Sequence, residues 1–335
     1  MSLPPVEIPL GAMRFNSESQ KLEYWNGYAW IQIHTFSPNL DGGGRGVWGG
    51  GNAPSQDNVI QYITISTQGN ATDFGDLLYS PGKPFALGSQ TRGIFSGGYT
   101  PSAETDINYI TFSSTGNAIA FGDNTSGGWA ASTVANNTRG IMAGRASPAQ
   151  TNIIDYITIA QIGNALDFGD LTIKKSHTTG GMTNGTRGVV SYSGNIDPTG
   201  NQANIDYITI PTLGNAHDFG DCVTPRHTVS CVSNSTRGVA GGGLDPAVTA
   251  LVDYITIATT GNSTEFGDLT DARRSASACA SSIRGLWGGG GNPSLVDIID
   301  FVTIATQGNA ADFGNLNAAA RESSSACSNS HGGLG

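Results

Sequence analysis

One unit recurs six times along this chain, and no other feature limits its fold as strongly. Its fourth copy reads Ile205-Asp206-Tyr207-Ile208-Thr209-Ile210, then Gly214-Asn215, then Phe219-Gly220-Asp221. The aromatic position is Tyr62, Tyr109, Tyr156, Tyr207, Tyr254 and Phe301, with steps of 47, 47, 51, 47 and 47 by subtraction. A fixed period of this length means an array of one supersecondary unit, each copy burying its apolar face against its neighbours.

Each copy has four parts. An Arg-Gly-apolar run opens it: Arg45-Gly46-Val47-Trp48, Arg92-Gly93-Ile94-Phe95, Arg139-Gly140-Ile141-Met142, Arg187-Gly188-Val189-Val190, Arg237-Gly238-Val239-Ala240 and Arg284-Gly285-Leu286-Trp287. A Gly-rich connection leads to the Tyr-Ile-Thr-Ile run. A Gly-Asn pair, a hairpin signal between extended runs, leads to the Phe-Gly-Asp run. A stretch of small residues, such as Ser275–Ala280, precedes the next Arg-Gly. Four strands per repeat is the pattern of a propeller blade, so six copies predict six blades. The Tyr runs are nearly continuous in apolar residues, as in strands covered on both faces. The small-residue runs suit inner strands crowded around an axis.

Tyr to the next Arg takes 30 residues in four copies and 31 in one. The same step from Phe301 reaches His331, and residues 37–44 do not resemble a small-residue run. The last such run, Arg321 to Ser330, is therefore expected to supply the inner strand of the first blade and remove the open edges. The fourth copy is longer by an insertion within 192–201, and insertions in repeat proteins map to loops.

Residues 1–36 stand outside the repeat. Two strand-like runs there flank Asn26-Gly27, which predicts a type I′ hairpin. Phe15, Leu22, Trp25, Trp30 and Ile33 are more apolar surface than a free two-stranded piece can carry. The hairpin either packs on the array or, the preferred reading, docks on a partner or another copy. Residues 37–44 read as a linker, and the array occupies 45–335.

Composition narrows the function. Glycine and proline together make 62 of 335 residues, below the range of a disordered chain. The net charge of −10 disfavours a nucleic-acid partner. No run is long enough for a membrane span. Residues 1–11 carry no basic stretch, so no secretory signal is expected. Four cysteines make no disulfide scaffold; Cys231, Cys279 and Cys327 read as small buried thiols at equivalent inner-strand positions, and Cys222 as a lone thiol.

The repeat resembles kelch-type propellers. Gly49-Gly50, Gly97-Gly98, Gly241-Gly242 and Gly288-Gly289 stand where the kelch double glycine stands, whereas Gly144-Arg145 and Ser191-Tyr192 break it. The usual kelch Trp is absent, and Phe74, Phe121, Phe168, Phe219, Phe266 and Phe313 take its region. More specifically, residues 253–269 resemble repeats in structural proteins of tailed bacteriophages, notably those of marine and cyanobacterial hosts. Gly11–Ile33 is similar to a short module near the ends of phage fibre and tail proteins. The resemblance implies an all-β protein: a six-bladed kelch-like β-propeller closed by its C-terminal strand, after a short N-terminal β-hairpin module. It further implies a virion location after assembly in the host cytoplasm.

Several candidate sites follow. The Arg of Arg-Gly and the Asp of Phe-Gly-Asp recur together, and both change in the sixth copy, to His331 and Asn315, which suggests a repeated ion pair. Acidic pairs such as Asp73/Asp76 and Asp218/Asp221 offer oxygen ligands for calcium as a minor alternative. Asp-Phe-Gly repeats without any kinase lysine or catalytic loop, and the histidines have no recurring carboxylate or nucleophile beside them. No catalytic residue, metal or cofactor is expected. The expected function is a non-enzymatic phage virion structural protein of tail, fibre or capsid, anchored to other virion proteins through Phe15, Trp25, Tyr28 and Trp30, with homo-oligomerisation open. The alternative is a host-adhesion module that binds a surface glycan or receptor through loop aromatics Trp48, Tyr99, Trp129, Tyr192 and Trp287.

Overall fold

The computed structural model describes residues 8–16, 21–32, 44–52, 55–147, 149–177, 180–192, 200–317 and 320–334. Among the described residues the fold is all-β: seven antiparallel sheets, one of three strands and six of four. It divides into two units, Met1–Asn39 and Leu40–Gly335.

The first unit is a three-stranded sheet, Met13–Asn16, Lys21–Trp25 and Trp30–Gln32. The expected two-stranded hairpin is thus joined by a further strand, with Met13 opposite Tyr24 and Tyr24 opposite Ile31. Its turn is also longer than type I′. Asn26 Oδ1 accepts the N–H groups of Tyr28 and Ala29 at 2.9 and 2.7 Å, closing a four-residue connection through an Asn side chain. Arg14 lies 4.3 Å over the Trp30 ring and donates to Glu23 at 2.8 Å. Trp25 and Trp30 meet at 5.6 Å. Residues 37–43 of the expected linker lie outside the described residues.

The second unit holds six sheets, each written here from inner to outer strand. Sheet 1 is Ser325–Ser328, Arg45–Gly49, Val59–Thr64 and Thr72–Asp76. Sheet 2 is Phe85–Gly88, Arg92–Ser96, Asp106–Thr111 and Ile119–Asp123. Sheet 3 is Ser132–Ala135, Arg139–Ser147, Ala149–Thr158 and Leu166–Lys175. Sheet 4 is Met182–Thr183, Arg187–Val190, Asn204–Thr209 and His217–Asp221. Sheet 5 is Ser230–Ser233, Arg237–Gly241, Leu251–Thr256 and Thr264–Asp268. Sheet 6 is Ser277–Ala280, Arg284–Gly288, Ile298–Thr303 and Ala311–Asn315. The inner strand of sheet 1 comes from the C-terminal run, with Cys327 opposite Val47.

Each sheet is joined to the next by the Gly-Asn turn. Gly116 N–H donates to the carbonyl of Phe74, Ala118 N–H to that of Asp76, and Asp76 N–H to Asn117 Oδ1. The same three bonds link every later pair of sheets. Sheet 6 makes them with sheet 1, through Gly69 to Phe313, Ala71 to Asn315 and Asn315 to Asn70. The outer strand therefore spends its free N–H and C=O groups on its neighbour's turn. Glycine is required in Phe-Gly at this contact. A Cβ on Gly220, whose φ is +143°, would lie 2.5 Å from the carbonyl oxygen of Gly261. Near the inner strands, each Gly of Arg-Gly receives a side chain from the preceding sheet: Cys279 on Gly46, Cys327 on Gly93, Leu87 on Gly140, Val134 on Gly188, Met182 on Gly238 and Val232 on Gly285.

The expected pairing of Arg with the Asp of Phe-Gly-Asp is not what these residues do. The guanidinium of Arg92 lies 4.6 Å over the Tyr109 ring and donates to the Ile159 carbonyl of the next sheet at 2.9 Å. The other five arginines repeat this, Arg284 reaching Ile65 in sheet 1. Arg45 fills the position assigned to His331, so no Arg is lost. The Asp contributes its main chain to the junction, which is why Asn315 serves equally. The Phe of Phe-Gly-Asp packs edge-on against the Tyr of its own sheet, as Tyr62 and Phe74 do at 5.7 Å.

Buried charge is handled elsewhere. The residue before the recurring aromatic (Tyr156, Tyr207, Tyr254, Phe301) is Asp155, Asp206, Asp253 or Asp300 in sheets 3 to 6, each fully buried. They pair with Arg145 at 2.6 Å, Lys175 at 3.5 Å, Arg226 at 2.5 Å and Arg273 at 2.8 Å. In sheets 5 and 6 the cation stands four residues before the inner strand. That place in sheet 3 belongs to Gly128, and Arg145 enters the vacated space from the second strand; a Cβ on Gly128 would meet the Arg145 Cδ at 2.6 Å. This accounts for the broken double glycine at Gly144-Arg145. In sheet 1 the acid is replaced by Gln61, and Arg321 pairs instead with Asp57 at 2.9 Å. Sheet 2 has Pro81 and Asn108 in the two places, with neither charge.

All four cysteines are buried and free. Cys279 and Cys327 point at the following sheet, but Cys231 is displaced by one position. It lies opposite Ala240, with its Sγ 3.8 Å from Ser191 Oγ in the preceding sheet. The three are therefore not equivalent, because successive residues of a strand face opposite ways.

Two tests follow from these contacts. Asn262→Ala should lower stability by about 1 kcal/mol in denaturant unfolding, whereas Asp221→Asn should change it by less than about 0.5 kcal/mol. Arg145→Gly should cost about 3–5 kcal/mol by leaving Asp155 buried and unpaired, and adding Gly128→Arg should recover most of that loss.

Candidate functional site

The inner strands of all six sheets line one cavity of about 60 Å³, among them Leu87, Val134, Gly181, Cys231, Cys279 and Cys327. His331 borders it, with Nε2 2.8 Å from the carbonyl oxygen of Gly88. His331 leads into the 3-10 turn Gly332–Leu334, whose last carbonyl accepts weakly from Gln90 and Asn137 at 3.4 Å.

A second cavity, of about 20 Å³, is lined by one residue from the connection before each inner strand: Lys83, Ala130, His177, Thr228, Ser275 and Ser323. All six have φ between +54° and +59°. None is glycine, and a left-handed conformation costs such residues free energy unless the surroundings hold it. Here backbone hydrogen bonds hold it. Lys83 N–H donates to the Ser323 carbonyl, Ser323 to Ser275, Ser275 to Thr228, Thr228 to His177, and Ala130 to Lys83, at 2.8–3.1 Å. These six residues, one from each repeat, together border one small cup.

The residues that border the cup are one lysine, one histidine, one alanine and three hydroxyl residues. Burial lowers the pKa of the Lys83 ammonium, opposed by Glu322 and aided by Arg274. Burial, with a smaller contribution from Lys83, pulls His177 down to about 4. Its Nδ1 lies 2.8 Å from Ser176 Oγ. His227, beside the cup, is also lowered by burial, and its Nδ1 lies 3.0 Å from Asn201 Oδ1. Arg274 approaches Glu322 at 3.9 Å.

Of the five loop aromatics, two flank this cup and three do not reach the surface. Trp129 directly precedes Ala130. Tyr99 exchanges backbone hydrogen bonds with Gly82, the neighbour of Lys83. Their rings meet edge-on at 5.5 Å, with Tyr99 43% exposed and Trp129 half-buried. Trp48 and Trp287 are instead fully buried, donating their indole N–H groups to Ser277 and Ser230 of the preceding sheets at 3.2 and 3.0 Å. Gly288 and Gly241 make room for them: a Cβ there would lie 2.8 and 2.9 Å from the indole rings. Tyr192 is also buried. Its hydroxyl donates to Asp253 and its ring lies 4.7 Å from the Arg226 guanidinium. These three are core residues and are withdrawn as ligand contacts. The rest of the sheet 4 insertion, 193–199, lies outside the described residues.

The anchoring aromatics are divided by the first unit's sheet. Phe15 lies on one face with Met13, Tyr24 and Ile31; Trp25 and Trp30 lie on the other, beside Arg14; Tyr28 stands at the turn, almost fully exposed. The cup residues escaped sequence reasoning because their side chains differ, although their spacing of 47, 47, 51, 47 and 48 follows the repeat. No protein-family model matches this chain, and no curated protein matches it.

The low pKa of His177 has a stability consequence. Between about pH 6.5 and 4 the unfolded chain binds a proton at this histidine and the folded chain does not, so its contribution to stability falls as pH falls through that window. His177→Asn, which keeps a residue tolerant of left-handed backbone, should flatten the decline of the thermal midpoint between those pH values.

Proposed function

We propose that the second unit is a six-bladed, kelch-like β-propeller, its ring closed where the C-terminal strand joins Arg45–Gly49, and that the chain is a non-enzymatic structural protein of a bacteriophage virion. Two observations support the propeller. Each sheet repeats one junction with the next, sheet 6 repeating it with sheet 1, and all six inner strands line a common cavity. The virion reading draws on the likeness of the repeat and of Gly11–Ile33 to phage structural proteins.

The observation that carries the anchoring role is the uncovered apolar face of the first unit. Met13, Phe15, Tyr24 and Ile31 stand together on a three-stranded sheet and are 63%, 65%, 38% and 39% exposed. Contiguous exposed apolar residues on a small module mark an interaction surface. In the proposed role, Phe15 docks with this face on another tail, fibre or capsid-associated protein. Trp25, Trp30 and Tyr28 contribute from the opposite face and the turn. The propeller is then carried as a rigid, displayed body, with assembly in the host cytoplasm.

A second reading, host adhesion through a surface glycan or receptor, is favoured by the Tyr99–Trp129 pair, in which Tyr99 is exposed and Trp129 half-buried.

Deletion of residues 1–36 tests the anchoring. The truncated chain should keep its cooperative unfolding transition and be absent from purified particles. Particles that still incorporate it at the wild-type level would refute attachment through this module.

A further inference from the structure

The imidazole of His331, which borders the larger cavity, is bonded at both nitrogens. Nε2 lies 2.8 Å from the carbonyl oxygen of Gly88, which can only accept, and Nδ1 accepts the Gly333 N–H at 3.1 Å. The two partners fix the neutral ring with its proton on Nε2. A second proton, on Nδ1, would face the Gly333 N–H and break that bond. The turn Gly332–Leu334 depends on this ring. It closes through Leu334 N–H to the His331 carbonyl at 3.0 Å, and all three of its residues are buried. Its glycines lie against the main chain of other sheets: a Cβ on Gly332 would run into Asn234, and one on Gly333 into the Ala135 carbonyl. Apart from the His331 bond, the polar attachments of the turn to those sheets are long among the described residues, Gln90 and Asn137 reaching the Leu334 carbonyl at 3.4 Å. The strand before the turn is held separately. Cys327 pairs with Val47, and Arg45 N–H donates to Asn329 Oδ1 at 2.8 Å.

We propose that His331 and the turn Gly332–Leu334 form an acid-sensitive clasp on the inner strands. Protonation of Nδ1 releases the turn and withdraws His331 from the border of the cavity, while Ser325–Ser328 stays paired with Arg45–Gly49. The titratable groups on the elements packed here do not offset the new charge. Cys231, Cys279 and Cys327 are thiols that burial keeps protonated. Arg45, Arg92, Arg139, Arg187 and Arg237 open the second strands of sheets 1 to 5, and each guanidinium is engaged by a carbonyl of the next sheet. Burial holds the docked His331 below the ordinary histidine value of about 6.5, with the Gly88 carbonyl opposing. A released His331 returns to that value. Below about pH 6.5 the released form therefore binds a proton that the docked form refuses. The released fraction rises by up to about ten-fold per pH unit until the docked pKa is reached, and then levels off.

Amide hydrogen exchange on the full-length chain reads the clasp locally. Rates at about pH 7.5, 6.5 and 5.0, corrected for intrinsic exchange, are compared at Gly333 and Leu334, with Gly163 of the sheet junction as reference. Protection at Gly333 and Leu334 should change little between pH 7.5 and 6.5. It should then fall several-fold, by at most about ten-fold per pH unit, on going to pH 5.0, while Gly163 stays protected. His331→Gln should remove this pH dependence. Gly333→Ala, whose Cβ runs into the Ala135 carbonyl, should leave the turn unprotected at every pH. Equal protection of the turn at pH 6.5 and 5.0 would overturn the proposal. The same fall in His331→Gln would overturn it too, assigning the effect to another group such as His177 or His227. A parallel loss at Gly163 would mean that the sheets open as a whole, and would overturn a clasp that opens alone. Should Gly333→Ala fail to fold, the comparison of wild type with His331→Gln still decides.

Discussion

The junction between a Gly-Asn turn and the outer strand of the preceding sheet is the contact on which the second unit depends. An outer strand exposes a row of unpaired N–H and C=O groups, and six such edges would invite pairing with other chains. Here each edge is met by three hydrogen bonds, two from backbone N–H groups and one to an Asn side chain. The approach is close enough to require glycine in Phe-Gly, whereas the glycine of Gly-Asn has open space around it and is favoured by its positive φ. The repeat keeps Gly-Asn and Phe-Gly for these reasons, and tolerates Asp or Asn after the glycine because only its main chain is used.

Charge inside the sheets follows a compensating rule. A buried carboxylate before the Tyr is always accompanied by a buried cation, but the cation's origin varies: the connection before the inner strand, the end of an outer strand in Lys175, or the second strand in Arg145. Where the carboxylate is absent, the cation is absent too, as in sheet 2, or takes a carboxylate from a loop, as Arg321 does from Asp57. An unpaired charge in these positions would be heavily penalised, so departures from the repeat come in pairs. This explains the interrupted glycine pair of the third copy as a substitution of one cation source for another.

The two structural ends of the inner strands differ in chemistry. At one, His331 and the short C-terminal turn lie against the ends of several strands. At the other, six left-handed residues joined by five backbone hydrogen bonds bring together side chains of five residue types. Regular backbone geometry thereby places Lys83, His177 and three hydroxyl residues, far apart in the chain, within one cup.

The all-β class, the six copies, the four strands of each and the pairing of the C-terminal run with Arg45–Gly49 were legible from residue spacing, because backbone periodicity depends on local residue type. The first unit's third strand escaped, since Met13–Asn16 alone carries little pattern, and so did the Asn26 cap, whose side chain replaces a tight turn. What only tertiary structure decided is which side chains cross between sheets. The recurring Arg and Asp look like partners in a repeat, yet Arg reaches a carbonyl in the next sheet and Asp lends its main chain. Trp48, Trp287 and Tyr192 look like loop aromatics, yet neighbouring glycines and an Asp253 carboxylate draw them inside. Spacing along a chain specifies which positions are equivalent; the partner of each position comes from the adjacent sheet, about a repeat away in sequence, and no local pattern encodes that distance.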